Sequence, residues 1–350
     1  LYMNILWIKD GKIGHEKQVK TLLDELTKTN NISIINEDYL GGLGKFFNWP
    51  HSFINFLTLN VIREALDMMD ITKHDNRNSE SRKEILNKYD IHMIIGAGHA
   101  THSRILYLKK FFNHFKPDHK VKAVSVLTPS FRKTSFDVIC APLHDKNKFK
   151  AIDSNVLYFE GSLSKVYDSL PDEKIGFIGV GGKNSHFIFN DQEIYDQIRY
   201  VISLYPNKIW YIFNSRRTSA KLNDLITSIE YKNCIFVKTD SMDTSYDEII
   251  EKASLKFVTQ DSVNMVYESL SSRGETLLFN MDYQKKDKVV KQIHHLLINK
   301  NVGYIDISDL MQGQSKKTIK SMKIIKQPNQ VLFSEVEKLA FKLDKILHNG

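Results

Sequence analysis

Short β-branched runs alternate with amphipathic segments along nearly the whole chain, and this alternation limits the possible folds more than any other feature. Runs such as NILWI, HMIIG and LKFVT have the length and composition of buried strands. The segments between them place apolar residues at helical spacing. Strands that are separated by helices pair in parallel, so the sequence predicts an α/β protein.

The alternation occurs twice, and the stretch around Asp153–Asp172, which contains Gly161 and Pro171, separates the two series. This predicts two Rossmann-like domains that face a central cleft, residues 1–165 and 166–327, followed by a C-terminal helix over 328–350 that crosses back to the first domain. Strands are expected near 3–8, 32–36, 91–95, 121–126, 136–140 and 155–158, and then near 175–180, 208–213, 233–237, 255–258 and 276–279. Helices are expected near 16–28, 53–69, 80–88 and 103–113, and then near 191–204, 218–229, 246–253, 262–273 and 287–299.

The net charge of +8 is concentrated in one part of the chain. Residues 101–150 contain 11 Lys and Arg against 3 Asp and Glu, which matches the whole surplus. A basic face of this kind attracts anionic lipid headgroups, phosphorylated substrates or nucleic acid, although a solvated lysine-rich face explains it equally well. Because zinc-finger spacing, RNP-like aromatic motifs and a disordered basic tail are all missing from the sequence, we expect no nucleic-acid partner.

The sequence predicts neither a membrane-spanning helix nor a signal peptide. No run reaches about 18 apolar residues, and the first residues, LYMNILWIKDGKIG, have the pattern of a short strand and a glycine turn. Cys140 and Cys234 each lie in an apolar run, as expected of small core residues in a reducing compartment. We therefore expect a cytoplasmic protein.

The segment Phe46–Phe56 contains five aromatic residues and follows Lys45. This density is typical of a segment that lies in a membrane interface, and a core helix after a loop is the alternative. Together with the basic block at 101–150, it predicts peripheral binding to an anionic membrane surface on the inner face of the cytoplasmic membrane.

Polar residues follow several strands of the first series, where doubly wound sheets bind ligands. Asp10 and His15 lie in the first such loop, as a general base with its orienting partner or as caps of the turn and the helix. The loop Gly96–Ser103 brings His99 and His102 to a helix start, which favours anions. His144-Asp145 forms either a second couple or an ordinary turn. None of these histidines has the spacing of a zinc site, so no metal is expected.

Three loops of the second series suit phosphate binding. The first contains the glycine turn Gly181-Gly182-Lys183, and the second, Ser215–Thr218, carries paired arginines beside hydroxyl groups. In the third, Asp261 or Ser262 is expected to cap a helix whose first N–H groups, over 262–265, face a phosphate. Glu268 lies about two turns into that helix, where its carboxylate could accept hydrogen bonds from both hydroxyls of a ribose.

The segments DGKIGHEKQ, IIGAGHAT, PLHD, GVGGKNSHF, NSRRT and VTQDSVNMVYE, in this order and spacing, resemble the mitochondrial-fission ("elongated mitochondria") family. The resemblance covers roughly Leu6 to Asn280. Bacterial members of that family are regarded as lipooligosaccharide-core glycosyltransferases, and the family resembles glycosyltransferases of the GT-B fold. The chain departs from the family pattern at Gln260, where a small residue is expected, and at His99, where an arginine is expected.

The polar loops described above and the resemblance together predict roles for these residues. The catalytic residues would be His15, as the preferred base, and Asp10. The first motif also matches at Gln18. The donor nucleotide sugar would contact Gly181, Gly182, Lys183, Ser215, Arg216, Arg217, Thr218, Asp261, Ser262, Val263, Asn264, Met265 and Glu268. The acceptor, a lipooligosaccharide or lipid-linked glycan, would contact Gly11, Lys12, Gly14, His99, His144 and Asp145.

These expectations describe a metal-independent sugar transfer that needs no cofactor beyond the nucleotide-sugar substrate. Fixed cations would stabilise the leaving phosphate. Neither arginine of the pair is expected to lie in the core. Two alternatives remain open from the sequence: a non-catalytic membrane-associated scaffold that retains the fold, and a nucleotide-sugar epimerase, which needs no surface for lipid.

Overall fold

The structure is a computed structural model that describes residues 2–38, 90–115, 117, 120–150, 153–237, 245–310, 319–327 and 330–348. The chain divides into two compact units. Leu1–Leu163 and Glu335–Gly350 form the N-terminal unit, and Ser164–Ser334 forms the C-terminal unit. The predicted helices near 53–69 and 80–88 and the aromatic segment Phe46–Phe56 lie outside the described residues.

The described strands are β1 (Tyr2–Lys9), β2 (Asn31–Asp38), β3 (Ile91–Ala97), β4 (Lys122–Val126), β5 (Val138–Pro142), β6 (Val156–Phe159), β7 (Asp172–Gly179), β8 (Ile209–Phe213), β9 (Cys234–Val237), β10 (Ala253–Val258), β11 (Glu275–Leu278), β12 (Gly303–Leu310) and β13 (Ile319–Ile325). The α-helices are α1 (Ile13–Thr27), α2 (His99–Phe115), α3 (Asp191–Leu204), α4 (Ala220–Thr227), α5 (Tyr246–Lys252), α6 (Val263–Leu270), α7 (Lys288–Ile298) and α8 (Glu335–His348). Two short 3-10 helices span Lys133–Ser135 and Leu143–Lys148.

The N-terminal unit contains a parallel sheet with the strand order β2-β1-β3-β4-β5-β6. Residues 3–8 of β1 are buried without interruption, because helices cover parallel sheets on both faces. α2 buries Ile105, Leu108 and Phe112 against this sheet. Each of these contacts removes apolar area from water and stabilises the layer.

The C-terminal unit contains a second sheet with the strand order β13-β12-β11-β10-β7-β8-β9. Its strands are parallel, except that β13 runs antiparallel to β12. All six residues of β10 are buried, and Trp210 on β8 is fully buried beside the backbone of Gly176, where an added Cβ would lie 2.4 Å from the indole ring. The glycine therefore allows the close packing of two neighbouring strands around the largest core residue.

The C-terminal helix α8 belongs to the N-terminal unit and packs on α1 and β6. Val336, Leu339 and Leu343 are buried at helical spacing. Two hydrogen bonds fasten the helix: Glu160 N–H donates to Glu335 (2.8 Å), and the Asn30 amide donates to Asp344 (2.6 Å). These contacts agree with the prediction that the last helix returns to the first domain.

The predicted α/β architecture of two parallel-sheet domains is confirmed, whereas the strands β12 and β13, at one edge of the second sheet, were not predicted. The strand 319–325 (IKSMKII) contains two lysines, and lysine is common on edge strands. β12 continues the alternation, because α7 lies between it and β11, whereas β13 pairs antiparallel with β12 and departs from that pattern. Within the described residues, no helix is long and apolar enough to cross a membrane.

Candidate functional site

In the N-terminal unit, Asp10 and His15 form a hydrogen-bonded pair where β1 ends and α1 begins. Asp10 Oδ2 lies 2.7 Å from His15 Nδ1, and Asp10 Oδ1 accepts a hydrogen bond from Lys12 N–H (3.1 Å). The Asp10 side chain is 1% exposed, whereas that of His15 is 27% exposed. The carboxylate is therefore fixed inside the protein, and the imidazole that it orients reaches solvent.

The surroundings keep Asp10 ionised and His15 in place. Burial raises the pKa of Asp10, but the hydrogen bonds from His15 and Lys12 outweigh it, and the net pKa is lowered. Gly98 has a φ of +86°, and an added Cβ there would lie 2.5 Å from His15 Nδ1 and 2.8 Å from Asp10 Oδ2. The glycine that the sequence analysis placed in the GAG turn thus leaves the space that the pair occupies.

The remaining residues of the first motif shape the turn. Gly11 has a φ of +75°, and its N–H donates to Glu16 (2.9 Å). Lys12 is the N-terminal flanking residue of α1, and the carbonyl of Gly14 accepts a hydrogen bond from the Gln18 amide (3.3 Å). Because Gln18 is buried and also accepts from Leu163 N–H (3.3 Å), its position in the motif is explained by packing within this unit.

Of the two histidines at the start of α2, His99 is exposed and His102 is fully buried. Ser125 Oγ donates to the carbonyl of Leu127, so it accepts from Nε2–H of His102 (2.9 Å). Desolvation, with a smaller effect of His99, lowers the pKa of His102 to about 3. His102 is therefore a neutral core residue, and only His99 can meet a ligand.

His144 and Asp145 do not form a hydrogen-bonded couple. They lie in the 3-10 helix Leu143–Lys148, with His144 Nε2 at 3.8 Å from Asp145 Oδ1. The buried Asp145 instead pairs with Lys148 at 2.8 Å. Of the two readings that the sequence left open, the structure favours the ordinary turn, and acceptor contact by these residues stays a prediction.

In the C-terminal unit, Asp261 joins the loops that follow β7, β8 and β10. Its side chain is fully buried, and it accepts from Gly182 N–H (2.9 Å) and pairs with the guanidinium of Arg217 (2.9 Å). Burial raises the pKa of Asp261, and the contacts with Gly182 and Arg217 oppose that shift. An added Cβ at Gly181 would lie 2.2 Å from Asp261, so this glycine is required by the approach of the carboxylate.

The two arginines of the SRRT segment are both exposed and neither lies in the core, but their contacts differ. Arg217 pairs with Asp261 and also donates to the carbonyl of Gly182 (3.1 Å). Arg216 is exposed, and within the described part of the chain no hydrogen bond or ion pair engages its side chain. Thr218 is buried and donates to the carbonyl of Gly181, while its hydroxyl accepts from Ser215 N–H (2.9 Å).

The start of α6 offers backbone N–H groups, as predicted, but without the expected side-chain cap. Ser262 is the N-cap residue, and neither its hydroxyl nor the Asp261 carboxylate caps the helix among the described contacts. The first bond within the helix runs from Val266 N–H to the Ser262 carbonyl (3.1 Å). The N–H groups of residues 263–265 consequently have no acceptor in the helix, and the helix dipole makes this end positive.

The side chains at this helix start divide into packed and open ones. Met265 is buried and Val263 packs against the core, whereas Asn264 and, in the loop after β7, Lys183 are exposed. Backbone groups, together with Arg216, Asn264 and Lys183, are therefore what this edge of the sheet can present to an anion.

Glu268 is held by a tyrosine that the sequence analysis did not identify. Tyr246, the first residue of α5, donates from its hydroxyl to Glu268 Oε2 (2.7 Å). Its ring packs edge-on against Phe177 and Phe213, with centroids at 5.4 and 5.2 Å. Desolvation, with a further contribution from Glu268, raises the pKa of Tyr246 well above its ordinary value, so the hydroxyl remains a donor. No local pattern links these residues, because the contact is between two helices.

A metal centre is not formed by the residues that the structure describes, since no three His, Cys, Asp or Glu side chains among them come together in a suitable group.

The C-terminal unit and the N-terminal unit together have the GT-B fold. The UDP-GlcNAc 2-epimerase of Neisseria meningitidis, solved with UDP-GlcNAc bound, is similar over 99% of this chain and 100% of its own, with 10% identity and a TM-score of 0.51. The UDP-GlcNAc 2-epimerase of Methanocaldococcus jannaschii matches 99% of this chain and 100% of its own, with 11% identity and a TM-score of 0.47. UGT2 of Phytolacca americana matches 98% of this chain and 90% of its own, with 8% identity and a TM-score of 0.46.

Sequence comparison gives the family. An uncharacterized protein of Rickettsia prowazekii is 21% identical over an alignment of 399 residues that covers 98% of this chain and 100% of the relative. The family model described as "Mitochondrial fission ELM1" matches residues 13–318, which include the His15, SRRT and α6 segments. The chain therefore belongs to the mitochondrial fission ELM1 family.

Proposed function

We propose that this protein is a glycosyltransferase that moves a sugar from a nucleotide-sugar donor to a lipid-linked glycan at the cytoplasmic face of a membrane. The observation that carries the proposal is the Asp10–His15 pair, at 2.7 Å. A buried carboxylate that orients a solvent-accessible imidazole is an arrangement for proton transfer. A scaffold has no need of it.

In this mechanism His15 is the base. With its Nδ1–H directed at the Asp10 carboxylate, the ring has its lone pair on Nε2. As the acceptor hydroxyl attacks the anomeric carbon, its proton passes to Nε2, and the ionised Asp10 stabilises the imidazolium that forms. Proton transfer to a positioned base contributes about 10²–10⁴-fold to the rate.

The C-terminal unit would bind the donor. The free N–H groups at the start of α6 and the exposed Arg216 suit a diphosphate, which carries charge that both can neutralise without a metal. Glu268, oriented by Tyr246, would accept from the ribose hydroxyls. A solved protein of the same fold holds UDP-GlcNAc, which supports a nucleoside-diphosphate sugar as the class of donor.

The basic block at residues 101–150 supports binding of the acceptor at an anionic membrane surface. Some of its cations are neutralised within the protein, as Lys109 is by Asp137 (2.8 Å) and Lys148 by Asp145 (2.8 Å). Others are exposed: Lys110, Lys120, Lys146 and Lys150. Each base near an anionic surface contributes about 1 kcal/mol, so a few suffice for peripheral binding.

A transfer assay tests the proposal. Purified protein is incubated with a nucleotide-sugar panel and membrane glycolipid, and the products are followed by mass spectrometry. Wild type should extend the glycolipid, and His15→Gln should lower the rate at least about 100-fold while donor affinity is kept. His348→Gln is the matched control, since His348 also pairs with an aspartate (Asp344, 3.3 Å) but lies on α8.

Two results would contradict the role of His15, and a third would contradict the function itself. Equal transfer by His15→Gln would remove the base, and loss of donor affinity in that variant would make His15 a phosphate contact instead. Release of an epimerised nucleotide sugar without any transfer would favour the epimerase alternative.

A further inference from the structure

The C-terminal unit contains a second histidine–aspartate pair, which the expected donor site does not include. His186 Nδ1 lies 2.6 Å from Asp287 Oδ2, and the two side chains are 31% and 22% exposed. His186 is in the loop after β7, and Asp287 precedes α7 in the loop after β11. The residues are separated by 101 positions, so the fold alone brings them together.

This pair has the same construction as Asp10–His15. Asp287 Oδ1 accepts from Val289 N–H (3.0 Å) and Val290 N–H (3.2 Å), which caps α7 and fixes the carboxylate. Burial raises the pKa of Asp287, but the hydrogen bonds from His186 and from the backbone outweigh it and the net pKa is lowered. An ionised carboxylate on Nδ1 places a proton on that nitrogen, and Nε2 is the ring atom left for a ligand.

The backbone of His186 is fastened on both sides. Its N–H donates to Asn184 Oδ1 (2.8 Å), and its carbonyl accepts from Gln284 N–H (2.8 Å). Asn184 in turn donates to the carbonyl of Asp261 (3.0 Å). Two of these hydrogen bonds fix the backbone of His186, and the third links its loop to Asp261, close to the start of α6.

The sheet order places this histidine beside the phosphate-suited groups. β10 lies between β11 and β7, and all three strands are parallel. The loops that carry Asp287, Asp261 and His186 thus leave the same edge of the sheet. His186–Asp287 joins the two outer loops, and α6 begins directly after the loop between them.

We propose that His186 is a catalytic residue on the donor side, whose Nε2–H donates to the terminal phosphate of the nucleoside diphosphate. In the transfer step the bond between the anomeric carbon and that phosphate oxygen breaks, and its electron pair goes to the oxygen. With the Asp287 carboxylate on Nδ1 and a phosphate on Nε2, the ring must donate from both nitrogens, so this role requires the imidazolium form. Its Nε2–H stabilises the new charge, while a bond forms to the acceptor oxygen and the acceptor proton goes to His15. This inference rests on the proposed function.

Binding of diphosphates and of their nucleosides to the full chain tests the inference. Calorimetry with UDP, GDP, CDP and ADP first identifies the diphosphate that wild type binds, and the corresponding nucleoside is then measured beside it. His186→Gln should weaken the diphosphate about tenfold or more, the effect of a lost hydrogen bond to a charged group, and leave the nucleoside unchanged. Asp287→Asn keeps an N-cap oxygen, and we expect a smaller loss in the same direction.

His295→Gln is the matched control, because His295 is exposed on α7 and hydrogen-bonds Asn299. It should bind both ligands as wild type does. If His186→Gln binds the diphosphate normally, or loses nucleoside and diphosphate alike, the pair is only a link between loops and the inference is wrong. If wild type binds none of the diphosphates, the proposed function fails together with the inference.

Discussion

Arg216 and Arg217 are neighbours in sequence, and we predict that their removal has opposite consequences. Arg217→Ala leaves the Asp261 carboxylate, which is fully buried, without its cation. Breaking a buried pair costs about 3–5 kcal/mol, and because the Arg217 side chain is 42% exposed we discount this to about 2 kcal/mol. Arg216→Ala should change stability by less than about 0.5 kcal/mol, as at other surface positions.

Trp210 provides the assay, since it is fully buried in the C-terminal unit on the strand that leads to both arginines. With Trp7 and Trp49 replaced by phenylalanine, urea unfolding followed by tryptophan fluorescence reports on this unit. Nucleotide binding is measured in parallel. Arg216→Ala should weaken it by about 1.5–3 kcal/mol, the contribution of a charged hydrogen bond.

The pH dependence of stability provides an independent test of the Arg217–Asp261 pair. Burial raises the pKa of Asp261, and removal of Arg217 should raise it further. A carboxyl whose pKa is raised in the folded state destabilises that state as the pH rises through its titration. The loss of unfolding free energy caused by Arg217→Ala should therefore grow between about pH 4 and pH 7. Equal stability of both alanine variants at pH 7, or a deficit that does not depend on pH, would refute this reasoning.

Three further outcomes are expected. Gly98→Ala places a Cβ 2.5 Å from His15 Nδ1, so transfer should fall about 100-fold in the glycolipid assay, and unchanged activity would show that His15 need not stay in place. Because the folded state lowers the pKa of Asp10, the contribution of Asp10 to stability is present above about pH 4 and is lost in stronger acid. The free energy of urea unfolding of Asp10→Asn should therefore depend less on pH below about pH 4 than that of wild type. The same pH dependence in both proteins would argue against a lowered pKa of Asp10. Flotation should show binding to anionic but not neutral liposomes, reduced by high salt and by Phe47→Ser with Trp49→Ser, and equal binding to both would contradict a lipid acceptor.

The alternation of strands and helices could be predicted from the sequence, because buried parallel strands and amphipathic helices have local patterns of apolar residues. β10 is a clear case, since its six buried residues precede a polar loop and a helix. β13 was missed because it pairs antiparallel with β12, and a series of parallel strands does not predict such a pairing. That arrangement does not follow from the rest of the second series.

In the candidate site, contacts between residues close in sequence could be predicted, and contacts between distant loops could not. Asp10 and His15 are five positions apart in one turn, so their pairing could be expected from the sequence. The difference between Arg216 and Arg217 could not, because it arises from Asp261 on another loop. His186 and Asp287 likewise meet only once β7, β10 and β11 are aligned. The sequence signals available for this pair were a histidine next to a glycine turn and an aspartate at the start of a helix.

Nucleotide binding is the measurement that tests the central claim most directly. A thermal-shift panel of UDP-, GDP- and CMP-sugars is applied to the whole chain, with His348→Gln as a control that should match wild type and Arg216→Ala as the variant that should respond less. A donor at 100 times its dissociation constant stabilises by about 2.7 kcal/mol, which for a unit of this size corresponds to a rise of about 5–10 °C in Tm. We predict such a rise with one class of nucleotide sugar, whereas no rise with any of them would contradict the donor site and favour the scaffold.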